Sequence, residues 1–177
     1  MIVGDPSRFA IESGITVAYE RLGFLALGFF VIHIRGRRYG VQARDATLLA
    51  CSFDEVEARL ADRGIHTASF AAEPDAGRIA DAYRDAVYAP EQENERYFGL
   101  AHDEFCGHFC SHQLVWAPDG DEAFDDGSFV LQFDAGDRVR LIGFRSIPQG
   151  YHHDPCTLSD IWLEADTFYD ILGEWRN

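Results

Sequence analysis

The chain has 177 residues, of which 47% are hydrophobic and 14% aromatic, a composition that can bury a core and argues against a disordered chain. Its formal net charge is −15 at pH 7, and residues 90–177 carry most of it, with eighteen acids against five arginines. Phosphate backbones and anionic membranes repel such a surface, so direct binding to nucleic acid or membranes is disfavoured. A basic protein partner, or simple solubility, fits better.

The length suits one large domain, and we predict a single domain over residues 1–177. The most apolar run, residues 22–34, is shorter than the roughly 20 residues of a membrane span and contains His33. It lacks a basic start, so no secretory signal is indicated. Four cysteines in a chain of this size do not make a disulfide framework. We therefore expect a cytoplasmic protein with reduced thiols.

The first third predicts β-structure, since runs of β-branched and aromatic residues are bounded there by turn residues. The predicted strands cover residues 9–11, 28–34, 38–41 and 46–51. A turn around Gly36 joins the second of these strands to the third, which predicts a hairpin.

Two helices are predicted next. Ser52 and Glu55 have the spacing at which two side chains satisfy each other's free backbone NH groups, and Gly64 suits a helix end. Apolar residues at helical spacing predict a second helix from about residue 74 to residue 88. The charged stretch 89–96 that follows has no apolar face. It could be a domain boundary, but we interpret it as a loop.

The second half predicts mostly strands, at residues 108–116, 128–134, 138–144 and 161–164. A short turn at Gly136 joins the second and third of them as a hairpin. A closing helix begins near Asp166 and presents one apolar face, made of Phe168, Ile171, Leu172 and Trp175. Hairpins interrupted by helices predict an α+β fold, a mainly antiparallel sheet with about three helices packed on it.

The stretch HDEFCGHFCSHQ, residues 102–113, collects three histidines and two cysteines. Gly107, Ser111 and the β-favouring residues after them predict a strand rather than a helix. On a strand, one side would carry Cys106, His108, Cys110 and His112. At about 3.3 Å per residue this row spans roughly 20 Å, too far for one tetrahedral ion. We predict no metal or cofactor, with the cysteines as small buried residues. Two alternatives stay open. One is a metal held by His108 and Cys110 with two further ligands from elsewhere, for example His102, His152, His153 or Cys156, and the other is a cysteine nucleophile with a nearby histidine.

The segment WAPDGDEAFDDGS, residues 116–128, contains five acids and no base: Asp119, Asp121, Glu122, Asp125 and Asp126. A calcium loop is excluded, because Ala123 stands where a ligand is needed. Two interpretations remain. The segment is a solvated turn, or it is a rim of charge around two aromatic positions that we interpret as exposed, Trp116 and Phe124, suited to capturing a basic protein surface.

No catalytic signature occurs in the sequence. A P-loop, GxGxxG, GxSxG and the kinase motifs are all absent. We therefore predict no catalytic residue and no enzyme activity.

Five blocks of sequence are longer than generic motifs. They are GDPxxFAI (4–11), GFFVIHIxGRRYG (28–40), ATLLACSFDEVE (46–57), WAPDGDEAFDDGS with VLQFDxGDRVRLI (116–142) and DPxTLxDxWLxADxFYxIL (154–172). In this order, and along nearly the whole chain, they resemble the immunity protein 42 family of bacterial polymorphic-toxin systems. The resemblance implies a bacterial cytoplasmic protein that binds and neutralises a cognate toxin domain by blocking its active site or substrate cleft. It brings no catalytic or binding residues with it.

The acidic second half is consistent with a basic toxin, for example a nuclease, whose cleft carboxylates could fill in place of phosphates. The candidate toxin-binding residues are Trp116, Asp119, Asp121, Glu122, Phe124, Asp125 and Asp126. Two alternatives stay open at this point. One is a small metal-dependent enzyme using the histidines and cysteines at 102–112, and the other is an interaction domain without a toxin.

Overall fold

The computed structural model describes residues 1–18, 26–89, 95–118, 120–147 and 150–177. These residues form four α-helices and eleven strands, and the strand pairings among them are antiparallel. The predicted α+β class is confirmed, with one helix that the sequence did not predict. Residues 22–25 of the apolar run, residues 90–94 of the charged stretch and Asp119 lie outside the described residues. No helix within the described ranges is long and apolar enough to span a membrane.

The first sheet contains the amino-terminal strands. They are β1 Ile2–Asp5, β2 Phe9–Ala18, β3 Ala26–Ile34, β4 Arg37–Tyr39 and β5 Thr47–Leu48. Their order is β1-β2-β3-β4, and β5 also pairs with β3. Arg35 and Gly36 form the turn between β3 and β4 with positive φ angles of 52° and 77°, as a tight two-residue hairpin requires. The predicted turn at Gly36 is confirmed.

The second sheet contains β8 Val115–Ala117, β9 Ser128–Ala135, β10 Arg138–Arg145 and β11 Ser159–Glu164. Their order is β11-β10-β9-β8, and β9 pairs with β10 along its whole length around the predicted turn at Gly136. A separate small hairpin is formed by β6 Arg96–Tyr97 and β7 Leu100–Ala101. The predicted strands at 128–134, 138–144 and 161–164 are confirmed with slightly different ends.

The four helices are α1 Leu49–Ala61, α2 Ala76–Tyr88, α3 His102–Ser111 and α4 Ala165–Arg176. The predicted second helix corresponds to α2, which begins after Asp75; the side chain of this residue accepts a hydrogen bond from a backbone NH in the first turn. The closing helix is α4, and its predicted apolar face is confirmed: Phe168, Leu172 and Trp175 are buried and Ile171 packs against them.

The predicted start of the first helix is wrong. α1 begins at Leu49, so Ser52 lies inside the helix, and its buried hydroxyl donates to Asp121 Oδ2 at 2.5 Å. Glu55 forms an ion pair with Arg59 at 2.7 Å. Tertiary contacts have thus recruited both side chains of the expected capping box. The predicted strand at 46–51 is reduced to Thr47–Leu48, because residues 49–51 belong to α1.

The predicted strand at 108–116 is wrong over most of its length, because residues 102–111 form α3. Phe105 and Phe109 stand four residues apart, on one side of this helix, and both are buried. Asp103 and Glu104 occupy its first turn, where negative charge suits the helix dipole. Burial of two phenylalanine rings outweighs the helix-weakening effect of Gly107, and only β8 remains extended.

Two hydrophobic cores lie on opposite faces of the second sheet. The first fills the space between the two sheets, α1 and α4, and includes Phe30 and Phe168. The second lies beneath α2 and α3 and includes Tyr83 and Phe109. Because side chains alternate along a strand, β9 supplies both cores. Val130 enters the first core, and the second receives Phe129, Leu131 and Phe133.

Tyr39 of β4 connects the two sheets. Its buried hydroxyl lies 2.6 Å from the Thr157 carbonyl oxygen and 3.0 Å from that of Gly143, and it donates its proton between them. Burial raises the pKa of Tyr39 to about 12, so the hydroxyl stays a donor. A Cβ atom at Gly143 would lie 2.5 Å from the Tyr39 ring. The missing side chain of Gly143 therefore permits the close approach of the sheets.

A buried arginine links α1 to the second sheet. Arg59 is fully buried and, besides its ion pair with Glu55, donates to Gln132 Oε1 at 3.0 Å and to the Val115 carbonyl oxygen at 2.7 Å. Its guanidinium also lies over the Trp116 ring, 5.2 Å from the centroid. The contacts satisfy a charge that would otherwise be costly to bury.

The same hydrogen-bond network continues from Gln132 to α4 and to the loop after α1. Gln132 donates to Asp134 and to the Tyr169 hydroxyl, which in turn donates to Asp134 Oδ2 at 2.8 Å. Asp134 also accepts from the backbone NH of Gly64 at 2.6 Å, and its own NH donates to the His66 carbonyl. Burial, together with the Arg59 charge, holds the pKa of His66 below its ordinary value.

Replacing Gly143 with alanine is expected to destabilise the protein by about 1–3 kcal/mol, because the new methyl group overlaps the Tyr39 ring. Gly107→Ala is the matched control. A Cβ at this helical position meets no atom within 4 Å, so the control is expected to gain about 0.5–1 kcal/mol. Denaturant unfolding of both variants measures these changes. Equal effects at the two positions would contradict the packing of Tyr39 on Gly143.

The buried His66 predicts a loss of stability in mild acid. Its pKa is lower in the folded state, so the unfolded chain binds the proton first as the pH falls below about 6.5. Stability is complete above that pH and declines below it. We expect His66→Asn to lose about 1 kcal/mol less than the unchanged protein between pH 7 and pH 5.5. His152→Asn, at an exposed position, serves as the control, and the same acid sensitivity in His66→Asn and in the unchanged protein would refute the assignment.

Candidate functional site

Asp121 anchors the acidic segment from inside. It precedes a short 3-10 turn, Glu122–Phe124, and accepts a hydrogen bond from the Ala123 NH at 2.8 Å. The same carboxylate accepts from the Thr47 hydroxyl at 2.7 Å and from the Ser52 hydroxyl at 2.5 Å. Asp121 thus attaches the segment to β5 and α1, and much of its hydrogen-bonding capacity is used within the protein.

Trp116 and Phe124 are buried, with 2% and 3% of their surface exposed, so the prediction that they are exposed aromatic positions is wrong. Trp116 packs against Phe9 and Phe168 in the first core, and Phe124 packs against Phe30. Both rings hold the acidic segment onto the core. They cannot serve as surface anchors for a partner in this conformation.

The remaining acids of the segment differ in their surroundings. Asp126 pairs with Arg145 at 2.9 Å and accepts from the Ser128 NH. Glu122 and Asp125 are exposed, and neither forms an ion pair with any residue that the structure describes. Asp119 lies outside the described residues. Two carboxylates of the predicted set therefore project freely into solvent.

A further carboxylate joins them from α1. Cys51 lies at the start of this helix and is exposed as a residue. The pKa of its thiol is raised, mainly by partial desolvation and then by the negative charges of Asp121, Asp54 and Glu122. Acids of α1 and of the 3-10 turn therefore lie close to one another. We call the exposed residues Asp54, Glu122 and Asp125 the acidic face. Sequence reasoning placed no functional residue on α1.

A cavity of about 610 Å³ lies between α1, α2, α3 and β8. Its lining is mainly apolar and includes Tyr83, Ala86, Val87, Cys106, Phe109, Cys110 and Val115. Glu55 lines this cavity and also a smaller one of about 90 Å³, whose wall contains Cys51 and Asp121. We call the larger cavity the α2–α3 cleft, and Glu55 of α1 lies between it and the smaller cavity beside Asp121.

The histidines and cysteines at 102–112 do not form the row that a strand would give. On α3, residues four apart share a side, and His102, Cys106 and Cys110 all border the α2–α3 cleft. His108 and His112 form a separate pair, with ring centroids 5.3 Å apart. The predicted common side for Cys106, His108, Cys110 and His112 is therefore wrong, because the period is helical.

The prediction that the cysteines are small buried residues is wrong, because Cys110 is exposed and Cys106 is only half-buried at the border of the cleft. His102 Nε2 lies 2.9 Å from the Ala86 carbonyl oxygen and 3.6 Å from Cys106 Sγ. Burial, with smaller effects of Cys110 and Asp103, raises the pKa of the Cys106 thiol, which disfavours the nucleophilic thiolate. Among the described residues, no group of three or more histidines, cysteines or acids is arranged to hold a metal ion.

Comparison with known proteins gives one family and one similar structure. The family model described as immunity protein 42 matches residues 1–177. The crystal structure of CdiI from Burkholderia dolosa AUO158 is similar in fold, with a TM-score of 0.60 over 99% of this chain and 97% of that chain at 14% sequence identity. No curated protein matches the sequence.

The positions of Asp121 and Glu122 predict unequal effects on stability when either of these adjacent acids is removed. Asp121→Ala removes the acceptor of three hydrogen bonds and is expected to cost about 1–3 kcal/mol of unfolding free energy. Glu122→Ala, at an exposed position, is expected to change it by less than about 0.5 kcal/mol. Denaturant unfolding compares the two variants. Similar stabilities would show that Asp121 does not anchor the segment.

Proposed function

Because the chain belongs to the immunity protein 42 family, we propose that residues 1–177 form one immunity domain that binds a cognate toxin domain and blocks its active site or substrate cleft without catalysis. The observation that carries the location of the interface is the position of Glu55 on α1, which lines both the α2–α3 cleft and the smaller cavity beside Asp121. We infer that the acidic face and the α2–α3 cleft together form the toxin-binding surface. The protein would act in the cytoplasm of the bacterium that produces the toxin.

The acidic face supports a basic partner. Asp54, Glu122 and Asp125 are exposed and close to the half-buried Asp121, in a chain whose net charge is −15. Charge of one sign accelerates the encounter with an oppositely charged surface and selects against acidic partners. A toxin that acts on nucleic acid has a basic cleft, and exposed carboxylates can occupy the positions of phosphates. We therefore propose a basic toxin, with a nuclease as the specific case.

The α2–α3 cleft supports an apolar anchor beside the charged rim. Stable interfaces concentrate their binding free energy in a few large side chains that fill pockets, surrounded by polar residues. Val87 at the border of the cleft is 44% exposed, and the neighbouring Tyr88 is 43% exposed. A side chain of the toxin inserted between α2 and α3 would cover this apolar surface. Carboxylates on α1 would then face the basic residues around it.

The metal-dependent enzyme receives no support from the site. His102, Cys106 and Cys110 face the cleft, whereas His108 and His112 pair elsewhere on α3. The Cys106 thiol is also not activated, since burial raises its pKa. The non-catalytic binder is the reading that the contacts of α3 favour.

The primary test is growth rescue and pull-down with the toxin domain encoded beside the gene of this protein. We expect rescue and a one-to-one complex. Failure of both would overturn the proposed function, whatever the variants below show.

The acidic face is tested with the triple variant Asp54→Asn, Glu122→Gln, Asp125→Asn. We expect the association rate constant for the toxin to fall about tenfold and to depend less steeply on salt. The matched control, Asp137→Asn, Glu164→Gln, Asp170→Asn, removes the same charge from exposed positions around β10, β11 and α4. Stopped-flow or surface-binding kinetics distinguish the two. Equal slowing would assign the effect to net charge rather than to this face.

The cleft is tested with Val87→Asp, which places a charge at its border. We expect dissociation of the toxin complex to accelerate by at least about tenfold, because the charge must be buried or displaced on binding. Ile65→Asp is the control, since Ile65 is 47% exposed and does not line the cleft. Unchanged dissociation of Val87→Asp would exclude the cleft from the interface.

A further inference from the structure

Arginines gather at one end of the first sheet, although the chain as a whole is strongly acidic. Two clefts of about 250 Å³ each lie beside β4. The first is lined by Arg37, Arg38, Tyr39, Arg145 and Thr157, and the second by Arg35, Arg37, Leu158, Ser159 and Asp160. Arg37 lines both clefts and is the arginine that they share.

Arg37 lacks the internal contacts that its neighbours have. Arg145 pairs with Asp126, Arg38 donates to the Gln42 side chain, and Arg35 donates to the Asp160 carbonyl oxygen. Arg37 is exposed and forms no hydrogen bond or ion pair with any part of the chain that the structure describes. Five donors in a fixed fork are thus available at a point of locally positive charge.

The carboxylates nearby do not neutralise Arg37. Asp160 in the wall of the second cleft accepts two hydrogen bonds from the buried Arg140, at 2.8 and 2.9 Å. Asp126 is engaged by Arg145 at 2.9 Å. Each of these acids already has its own arginine, so Arg35, Arg37 and Arg38 remain in excess.

The backbone around these arginines is held in place by hydrogen bonds. The NH of Arg35 donates to the Arg8 carbonyl oxygen and the NH of Gly36 to that of Pro6, both at 2.8 Å. The turn between β1 and β2 therefore supports the turn between β3 and β4. Arg145 also donates to the Arg38 carbonyl oxygen at 2.9 Å. The backbone that carries these arginines is therefore held in place before any ligand binds, which reduces the entropic cost of binding.

The wall of the second cleft also contains a buried hydroxyl. Ser159 is 4% exposed, and its Oγ lies close enough to the Tyr39 hydroxyl to offset part of the rise in pKa that burial causes in that tyrosine, although the contact departs from ideal hydrogen-bond geometry. This hydroxyl thus has a neighbour within the fold, and Arg37 is the residue that offers free donors to a ligand.

We propose that Arg37, with Arg35 and Arg38 on either side, forms a binding site for an oxyanion, the chemistry shared by phosphate and carboxylate groups. The site lies on β4 and the β3–β4 turn and is separate from the acidic face on α1. Its planar guanidinium donors match the paired oxygens of such a group. The proposal does not depend on the identity of the toxin.

The test titrates inorganic phosphate into the full chain at constant ionic strength and follows the backbone amide resonances of residues 35–38 by NMR. Saturable shifts at these residues are expected, together with a rise in the unfolding temperature as phosphate is added. Arg37→Gln is expected to weaken binding by at least about tenfold, as for loss of a charge-assisted hydrogen bond. Its unfolding temperature without phosphate should not change, because Arg37 has no described internal partner.

Arg96→Gln is the control, since Arg96 is exposed on β6 and its side chain donates to the Gly99 carbonyl oxygen. Phosphate shifts that do not saturate, or that persist equally in Arg37→Gln, would overturn the site. A parallel titration with glutarate distinguishes the two sources of the oxyanion. Tighter binding of phosphate supports a phosphate-bearing ligand, and tighter binding of glutarate supports a carboxylate of a protein partner.

Discussion

The guanidinium group of Arg59 is completely buried between α1 and the second sheet, and a charge in that position requires partners for its N–H groups. Glu55, Gln132 and the Val115 carbonyl oxygen supply them. Gln132 extends the network to Asp134 and to Tyr169 of α4. One connected set of polar groups thus fixes α1, β8, β9 and α4 relative to each other. Glu55, which separates the two cavities along α1, is oriented by the same arginine.

The placement of charge follows from this framework. α1 carries the exposed Asp54. Hydrogen bonds from Ser52 of α1 and Thr47 of β5 to Asp121 attach the acidic segment beside it. The acidic face therefore depends on a helix that the buried arginine holds in position. The opposite sign collects at the β3–β4 turn, where Arg37 remains without an internal partner in the described chain. Although the net charge is −15, the protein therefore has two surfaces of opposite charge. Their separation permits one to engage a basic partner while the other attracts anions.

Local sequence signals predicted the hairpins and the amphipathic helices, because turn residues such as Gly36 and Gly136 and the apolar face of α4 act within a few residues. The local signals gave wrong predictions where contacts with residues distant in the sequence determine the structure. Ser52 bonds to Asp121, 69 positions away, instead of capping a helix. The five acids of residues 116–128 indicated a charged surface but not that Trp116 and Phe124 point inward. If residues 102–111 are assigned to a helix, Cys106 and Cys110 lie on the same side of it. That spacing is the sequence signal that could have indicated the cleft.

The alternation of β9 between two cores has a consequence for how the protein unfolds. Its odd-numbered phenylalanines hold α2 and α3, whereas Val130 and Gln132 belong to the side that holds α1 and α4. Removing the strand from either core exposes the other, so the two halves are expected to be lost in one cooperative transition. Opening of the cleft between α2 and α3 by unfolding of these helices is consequently opposed by the stability of the whole fold, and not by that of the two helices alone.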